Sequence, residues 1–327
     1  MPRSALPADL SSFQQQLIGT WTNQDLPGTG KGGTADPYSY NVMVLPQASP
    51  QSPNQGLGYI LKNFTYYETI VFRGSEDIAS PVAAPNRGGT YQQTPFALFY
   101  DQQVRFAEGP GIGTIVHEEN GAWLHLQTEQ QQVGPYPYPP DNPLYEPGSP
   151  QPQPPGMTMC KQISVPHGVS VLALGSYSSN AGTPVISDAE SVLPVPAGLS
   201  TTPYAETLDT PGDYQNPQPQ LTNQVTLPLQ QALADLATAG HAINSYIYCQ
   251  VESDNGGTVV NIPFEDRRAA LAGYSAEYWL LSYDGGSNYD IVAYTQRILL
   301  AIPIGGTTYT FPHPTSNVLT RQVAGRP

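Results

Sequence analysis

From Tyr38 onward the chain alternates apolar and polar residues in short runs, separated by clusters of Gly, Pro, Asn and Asp. Tyr38, Tyr40, Val42 and Val44 share one face of the run 38–45, the period-two signature of a half-buried strand. The run 57–72, through Tyr59, Leu61, Phe64, Tyr66, Glu68, Ile70 and Phe72, is long enough for two strands or one bent strand. Residues 96–106 carry Phe96, Leu98, Tyr100, Val104 and Phe106 in near-period-two spacing. Runs 113–117 and 122–127 predict a hairpin turning at Glu119-Asn-Gly121. Runs 157–165 and 169–177 flank Pro166-His167-Gly168. Strands resume at 245–252, 258–262, 277–283, 289–302 and 307–320, with Asp254-Asn-Gly-Gly257 and Asp284-Gly-Gly286 reading as hairpin turns.

Helical spacing is rare. Phe13 and Leu17, four apart, predict a short helical turn that runs through Gly19 into a strand at Trp21. The clearest helix covers 227–239, with Leu229, Leu233, Leu236 and Ala237 on one stripe, Thr226 as cap, Pro228 in the first turn and Gly240 at the end. A second short helix is expected over 266–274. Prolines forbid regular structure over 134–156 and over most of 180–223. The glycine-rich segment 28–33 lacks Walker spacing and reads as a loop.

About ten to twelve strands in mostly hairpin order predict a mainly β fold: one antiparallel up-and-down barrel, residues 1–327, with insertions at 134–156 and 180–243. Closure removes exposed strand edges. A barrel of more than eight strands leaves room inside for a small-molecule ligand. Two smaller tandem barrels, divided near 180–223, are the alternative.

Composition narrows the partners. The 327 residues include 21 Tyr, 35 Pro and 31 Gly, and only 12% are charged. The formal net charge of −14 opposes nucleic acid and anionic membrane as partners, since both need clustered Lys and Arg. Residues 1–7 lead into no apolar run of signal-peptide length, and no stretch is long and apolar enough to span a bilayer. A soluble, cytoplasmic protein is the expectation, and self-association into a homo-oligomer is compatible with the pattern. Cys160 and Cys249 form no C-x-x-C and lie in strand-like runs, so both are expected to be buried free thiols.

Five histidines supply all the imidazole: His117, His125, His167, His241 and His313. None forms a His-x-x-x-His or His-Glu-x-x-His pair. His117 and His241 read as structural. His167 and His313 each follow a proline, and His313 lies between Pro312 and Pro314. Flanking prolines stiffen the backbone and remove donors, so this part of the last strand cannot pair fully with a neighbour. An imidazole so held suits a metal or haem ligand, and an ordinary surface histidine is the other reading. No Gly-x-Ser-x-Gly elbow is present. Glu68, Asp101, Glu118 and Glu119 are expected to face solvent at turns or strand ends.

Several segments then resemble one family. Phe13-x-x-x-Leu-Ile-Gly-Thr-Trp21 resembles the opening of calycins, above all the nitrobindin and fatty-acid-binding-protein-like haem proteins. The aromatic run 63–72 with its Tyr-x-Glu element, the segment 117–123, the strand pair around His167 and the closing stretch 289–321 are similar to later blocks of that family. The resemblance implies haem b in the barrel, with His313 as metal ligand and His167 as competitor. Trp21, Tyr66 and Tyr294 would be further cofactor-binding residues. His167, His125 and Tyr100 would act on a small oxidant such as peroxide, nitric oxide or peroxynitrite. A haem-free barrel that binds or isomerises a small apolar metabolite is the second expectation.

Overall fold

The computed structural model describes residues 10–23, 38–46, 59–74, 97–107, 111–126, 157–166, 168–187, 225–263 and 268–322. His167, the loop 28–33, the tract 134–156 and most of 180–223 lie outside them. The strands are β1 (Gly19–Thr22), β2 (Ser39–Pro46), β3 (Tyr59–Phe64), β4 (Tyr66–Gly74), β5 (Ala97–Phe106), β6 (Ile115–His125) and β7 (Met159–Val165). They continue as β8 (Val169–Ala181), β9 (Ser245–Glu252), β10 (Thr258–Asn261), β11 (Ala270–Ser282), β12 (Ile291–Ile304) and β13 (Thr307–Arg321). Among the described residues two helices accompany them, α1 (Ser12–Leu17) and α2 (Leu227–Thr238).

Neighbouring strands pair in the order β1-β4-β5-β6-β7-β8-β9-β11-β12-β13, and β13 pairs back to β1 through Trp21↔Arg321 and Thr22↔Thr320. The result is a closed antiparallel barrel with α2 inserted between β8 and β9. Strands from both sides of the 180–223 stretch share this one barrel. β2 and β3 form a hairpin attached to β13 beyond the end of short β1. There the ladder is carried by side chains: Asn23 Nδ2 donates to the Tyr66 carbonyl (2.6 Å) and Ser39 Oγ to the same oxygen (2.8 Å).

The long run over 57–72 is two strands that part at Thr65. β3 pairs with β2 while β4 pairs with β1 and β5.

Three sequence expectations are corrected. Glu119-Asn-Gly121 makes no turn; β6 runs unbroken through it. The glycine is needed for another reason. A Cβ at Gly121 would lie 2.0 Å from the Gln162 carbonyl and 2.8 Å from the Tyr100 ring, so the position is filled by a neighbour's aromatic side chain. Asp254-Asn-Gly-Gly257 makes no hairpin either. β9 and β10 both pair with β8, in one direction and in succession. The four residues bulge out of a single run, with Gly256 at φ +92° and Gly257 pressed against the Leu172 carbonyl. The helix expected over 266–274 is not formed in its described part, where β11 begins at Ala270. Its alternating burial shows a strand pattern that a helical reading missed.

α1 is capped by Ser11 and Gln14 in a capping box. Phe13 and Leu17 enter the barrel and are buried beside Trp21, Trp123 and Met159. Phe13 meets Trp123 edge-on at 5.1 Å, so this end of the barrel is plugged. α2 lies on the outer wall, where Leu229, Ala232 and Leu236 cover Trp279, Leu281, Ile291 and Val318. Pro228 and Gly240 bound α2 as expected, but Thr226 Oγ1 donates to the Ser187 carbonyl instead of capping it.

Candidate ligand-binding cavity

Inward-facing residues stack in three layers along the barrel: the aromatic plug, a polar middle and a cavity. The cavity measures about 420 Å3, within the range of small-molecule sites. Its walls are mostly apolar, including Met43, Val44, Phe64, Val104, Val116, Leu271, Ile298 and Leu300. Converging polar groups come from Tyr66, Gln102, His117, Glu119, Tyr274, Tyr294, Gln296 and His313. Exposed Arg268 stands at the rim. A groove of about 480 Å3 on the outer wall, lined by Arg73, Phe99 and Asp101 among others, has no such convergence.

His313 owes its orientation to the two prolines. Pairing of β13 with β12 continues across Pro312 and Pro314, whereas pairing with β2 stops at Thr315↔Asn41. Prolines two residues apart remove donors from one strand edge only. The imidazole takes over that edge: Nδ1 lies 2.6 Å from the Val42 carbonyl and must donate to it. Nε2 is therefore unprotonated, and it makes no hydrogen bond among the described residues. The ring is half-buried and lines the cavity. Burial pushes its pKa down to about 4, against the opposing effect of the Val42 carbonyl.

His117 lines the same cavity from β6, nearly opposite β13 in the closed strand order. Its Nε2 lies 3.4 Å from Glu119 Oε2. Glu119 is buried next to Lys161, at 3.6 Å, and accepts from Tyr100 OH at 2.6 Å. Burial would raise the Glu119 carboxyl, but the Lys161 ammonium and the bonds from His117 and Tyr100 hold it down to about 2. Lys161 donates to Tyr274 OH (2.9 Å) and Tyr278 OH (2.8 Å) and lies within 6 Å of four aromatic rings.

Glu68 forms a second buried cluster. Its carboxylate accepts from Tyr294 OH (2.7 Å), Asn317 Nδ2 (2.6 Å) and Gln102 Nε2. Tyr66 OH lies 3.0 Å from Tyr294 OH and 3.1 Å from the Ser316 carbonyl. Burial pushes the Glu68 carboxyl up to about 7, despite the hydrogen bonds from Tyr294 and Asn317. Stacking of Tyr278 on Tyr294, at 5.5 Å, joins the two clusters.

The structure thus brings His313, Tyr66 and Tyr294 to one cavity. Tyr100 is one layer away, behind Glu119. Trp21 is buried in the plug, where Nε1 donates to the Leu17 carbonyl (2.7 Å) and Arg321 covers the ring. His125 sits at the plug end of β6 beside Tyr177, eight residues from His117, or roughly 27 Å along the strand. His117, read from sequence as structural, faces the cavity. Asp101 and Glu118 are exposed, but Glu68 and Glu119 are buried inside, contrary to the solvent-facing expectation. Parity carried that signal: Glu68 shares the Tyr66–Ile70–Phe72 face, and Glu119 shares the Trp123 face once β6 is continuous. Lys161 carries the same signal, since it shares the buried face of Met159 and Ile163 two residues away on either side.

Cys160 and Cys249 are buried and unpaired. Among the described residues no cluster of three or more His, Cys, Asp or Glu could hold a metal ion, and no helix is long and apolar enough to cross a membrane. No protein-family model matches this chain, and no curated protein matches it.

Proposed function

We propose that this is a small-molecule-binding barrel of calycin type whose cavity takes haem b, with His313 as axial ligand. One observation carries the reading: the His313 ring is anchored by Nδ1–H to the Val42 carbonyl and offers a bare Nε2 to an apolar cavity. Metal-bound imidazoles are commonly held this way, through the nitrogen that does not bind the metal. Burial keeps the ring neutral down to about pH 4, so it stays a competent ligand across the physiological range. Apolar walls suit the macrocycle, and Arg268 at the rim suits its carboxylates. Bound haem would supply an iron position open to a small oxidant such as peroxide, nitric oxide or peroxynitrite. His117, which lines the same cavity and contacts Glu119, would be the residue to exchange a proton with the bound oxidant.

The test is a haem titration followed by absorption spectroscopy. The wild-type protein should shift the Soret band, and His313→Ala should lose the axial-imidazole signature while His117→Ala keeps it. Loss in His167→Ala with retention in His313→Ala would transfer the axial role, and no shift in the wild type rejects haem. The apolar walls above a polar floor also favour a second reading, a haem-free barrel for an apolar metabolite with one polar group. Co-purification of such a compound, with no Soret shift, selects it.

A further inference from the structure

Glu68 lies behind the cavity wall, 1% exposed; it touches the cavity lining through Gln102, whose amide can only donate to it, and through the hydroxyl of Tyr294, which Tyr66 joins. Counting hydrogens on this chain shows two states. With Glu68 ionised, the single hydroxyl proton of Tyr294 is committed to the carboxylate at 2.7 Å. Tyr294 then presents only lone pairs to its neighbours, and Tyr66 has one proton for two acceptors, Tyr294 and the Ser316 carbonyl. With Glu68 protonated, the carboxyl donates to Tyr294, whose own proton is released towards Tyr66 or the cavity. Every link from Glu68 to the Ser316 carbonyl is then satisfied in one direction.

We propose that Glu68 is the proton-loading group of the cavity, so that a ligand placing an anionic or other acceptor oxygen against Tyr294 and Tyr66 binds with uptake of one proton. The inference rests on reading the cavity as a ligand site and not on haem. The proton goes from solvent to the Glu68 carboxylate, the Tyr294 proton turns from Glu68 to the ligand oxygen, and no covalent bond other than O–H changes.

Other titratable groups face the network. Glu119 on β6 raises the Glu68 pKa and Lys161 on β7 lowers it. Tyr278 on β11 stacks on Tyr294. Asn317 on β13 and Gln102 on β5 add neutral donors to the carboxylate. Glu119 stays ionised beside Lys161, and His313 stays neutral, so neither changes charge as Glu68 titrates near neutrality. His117 remains as the other imidazole in the cavity, which makes a Glu68 variant the necessary control.

The probe is anilinonaphthalene sulfonate, an apolar fluorophore with a permanently ionised acceptor group, titrated into the haem-free protein. Wild-type affinity should be constant below about pH 6 and fall about tenfold per pH unit above about pH 7. Glu68→Gln, always neutral, should hold the low-pH affinity to about pH 9 with no slope. Tyr294→Phe, which preserves the ring and removes the relay, should lose both the slope and the tighter low-pH binding, and it serves if the glutamine variant fails to fold. Calorimetry in buffers of different ionisation enthalpy should register one proton taken up per probe at about pH 8. Slope-free wild-type binding, a slope that survives in either variant, or no binding at about pH 6 overturns the proposal. A Soret shift obtained alongside any of these results leaves the haem reading standing, and a missing Soret shift with the expected slope leaves only this inference.

Discussion

Glu68 and Glu119 are the same residue type in one barrel interior, yet their carboxyls sit at about 7 and about 2. The difference is a neighbour. Lys161 stands 3.6 Å from Glu119, whereas Glu68 is met only by neutral donors, which do not offset its desolvation. The sign of the pH effect follows. A carboxyl raised in the folded state adds stability that is complete below the unfolded value of 4.5 and is lost as pH rises through about 7. Wild-type protein should therefore lose roughly 3 kcal/mol between about pH 4.5 and about pH 8 that Glu68→Gln retains. Urea unfolding of both proteins at the two pH values measures it, and parallel pH dependence would contradict it. Neither carboxyl's environment was legible in the sequence. Parity could place them on the inward face, but whether a cation or an amide meets them depends on strands more than thirty residues away.

At the scale of elements, the two Asn-Gly segments show where local rules stop. Both have the composition of a hairpin turn, and neither makes one. In β6 the chain stays extended because β5 and β7 pair along both of its edges, and Gly121 makes room for the Tyr100 ring. Gly121→Ala would drive a methyl into that ring and into the Gln162 carbonyl, separating Tyr100 from Glu119. We expect a loss of about 1–3 kcal/mol or more in chemical denaturation; an unchanged midpoint would show that the ring moves aside freely. By contrast, the hairpin at Asp284-Gly-Gly286 forms as read, because β11 and β12 pair up to Leu281↔Ile291 on either side of it. α1 was also legible, since Phe13 and Leu17, four apart, lie on one helical face; its Ser11–Gln14 capping box emerged only in the structure.

At the scale of the whole molecule, the barrel is solid at one end and hollow at the other, and α1 makes the difference. Phe13, fully buried against Trp123 and Tyr278, fills the space that the opposite end leaves as a cavity. Phe13→Ala should cost about 3–5 kcal/mol, read as a lower midpoint in a single thermal transition. A second, separate transition would mean that plug and cavity layer melt independently.

Period-two alternation, punctuating Gly and Pro, and one helical stripe determined the strand-rich class, the approximate strand count and the inserted helix, because these follow from contacts between near neighbours in the chain. The two prolines around His313 likewise announced that one strand edge would go unpaired. Which edge, what the imidazole does there, and which buried carboxylate receives Lys161 were decided only by how distant segments pair in the sheet. Pairing sets β13 against β2 and β6 beside β7, closure sets β6 and β7 across the barrel interior from β11, and such encounters leave no periodic trace in the sequence.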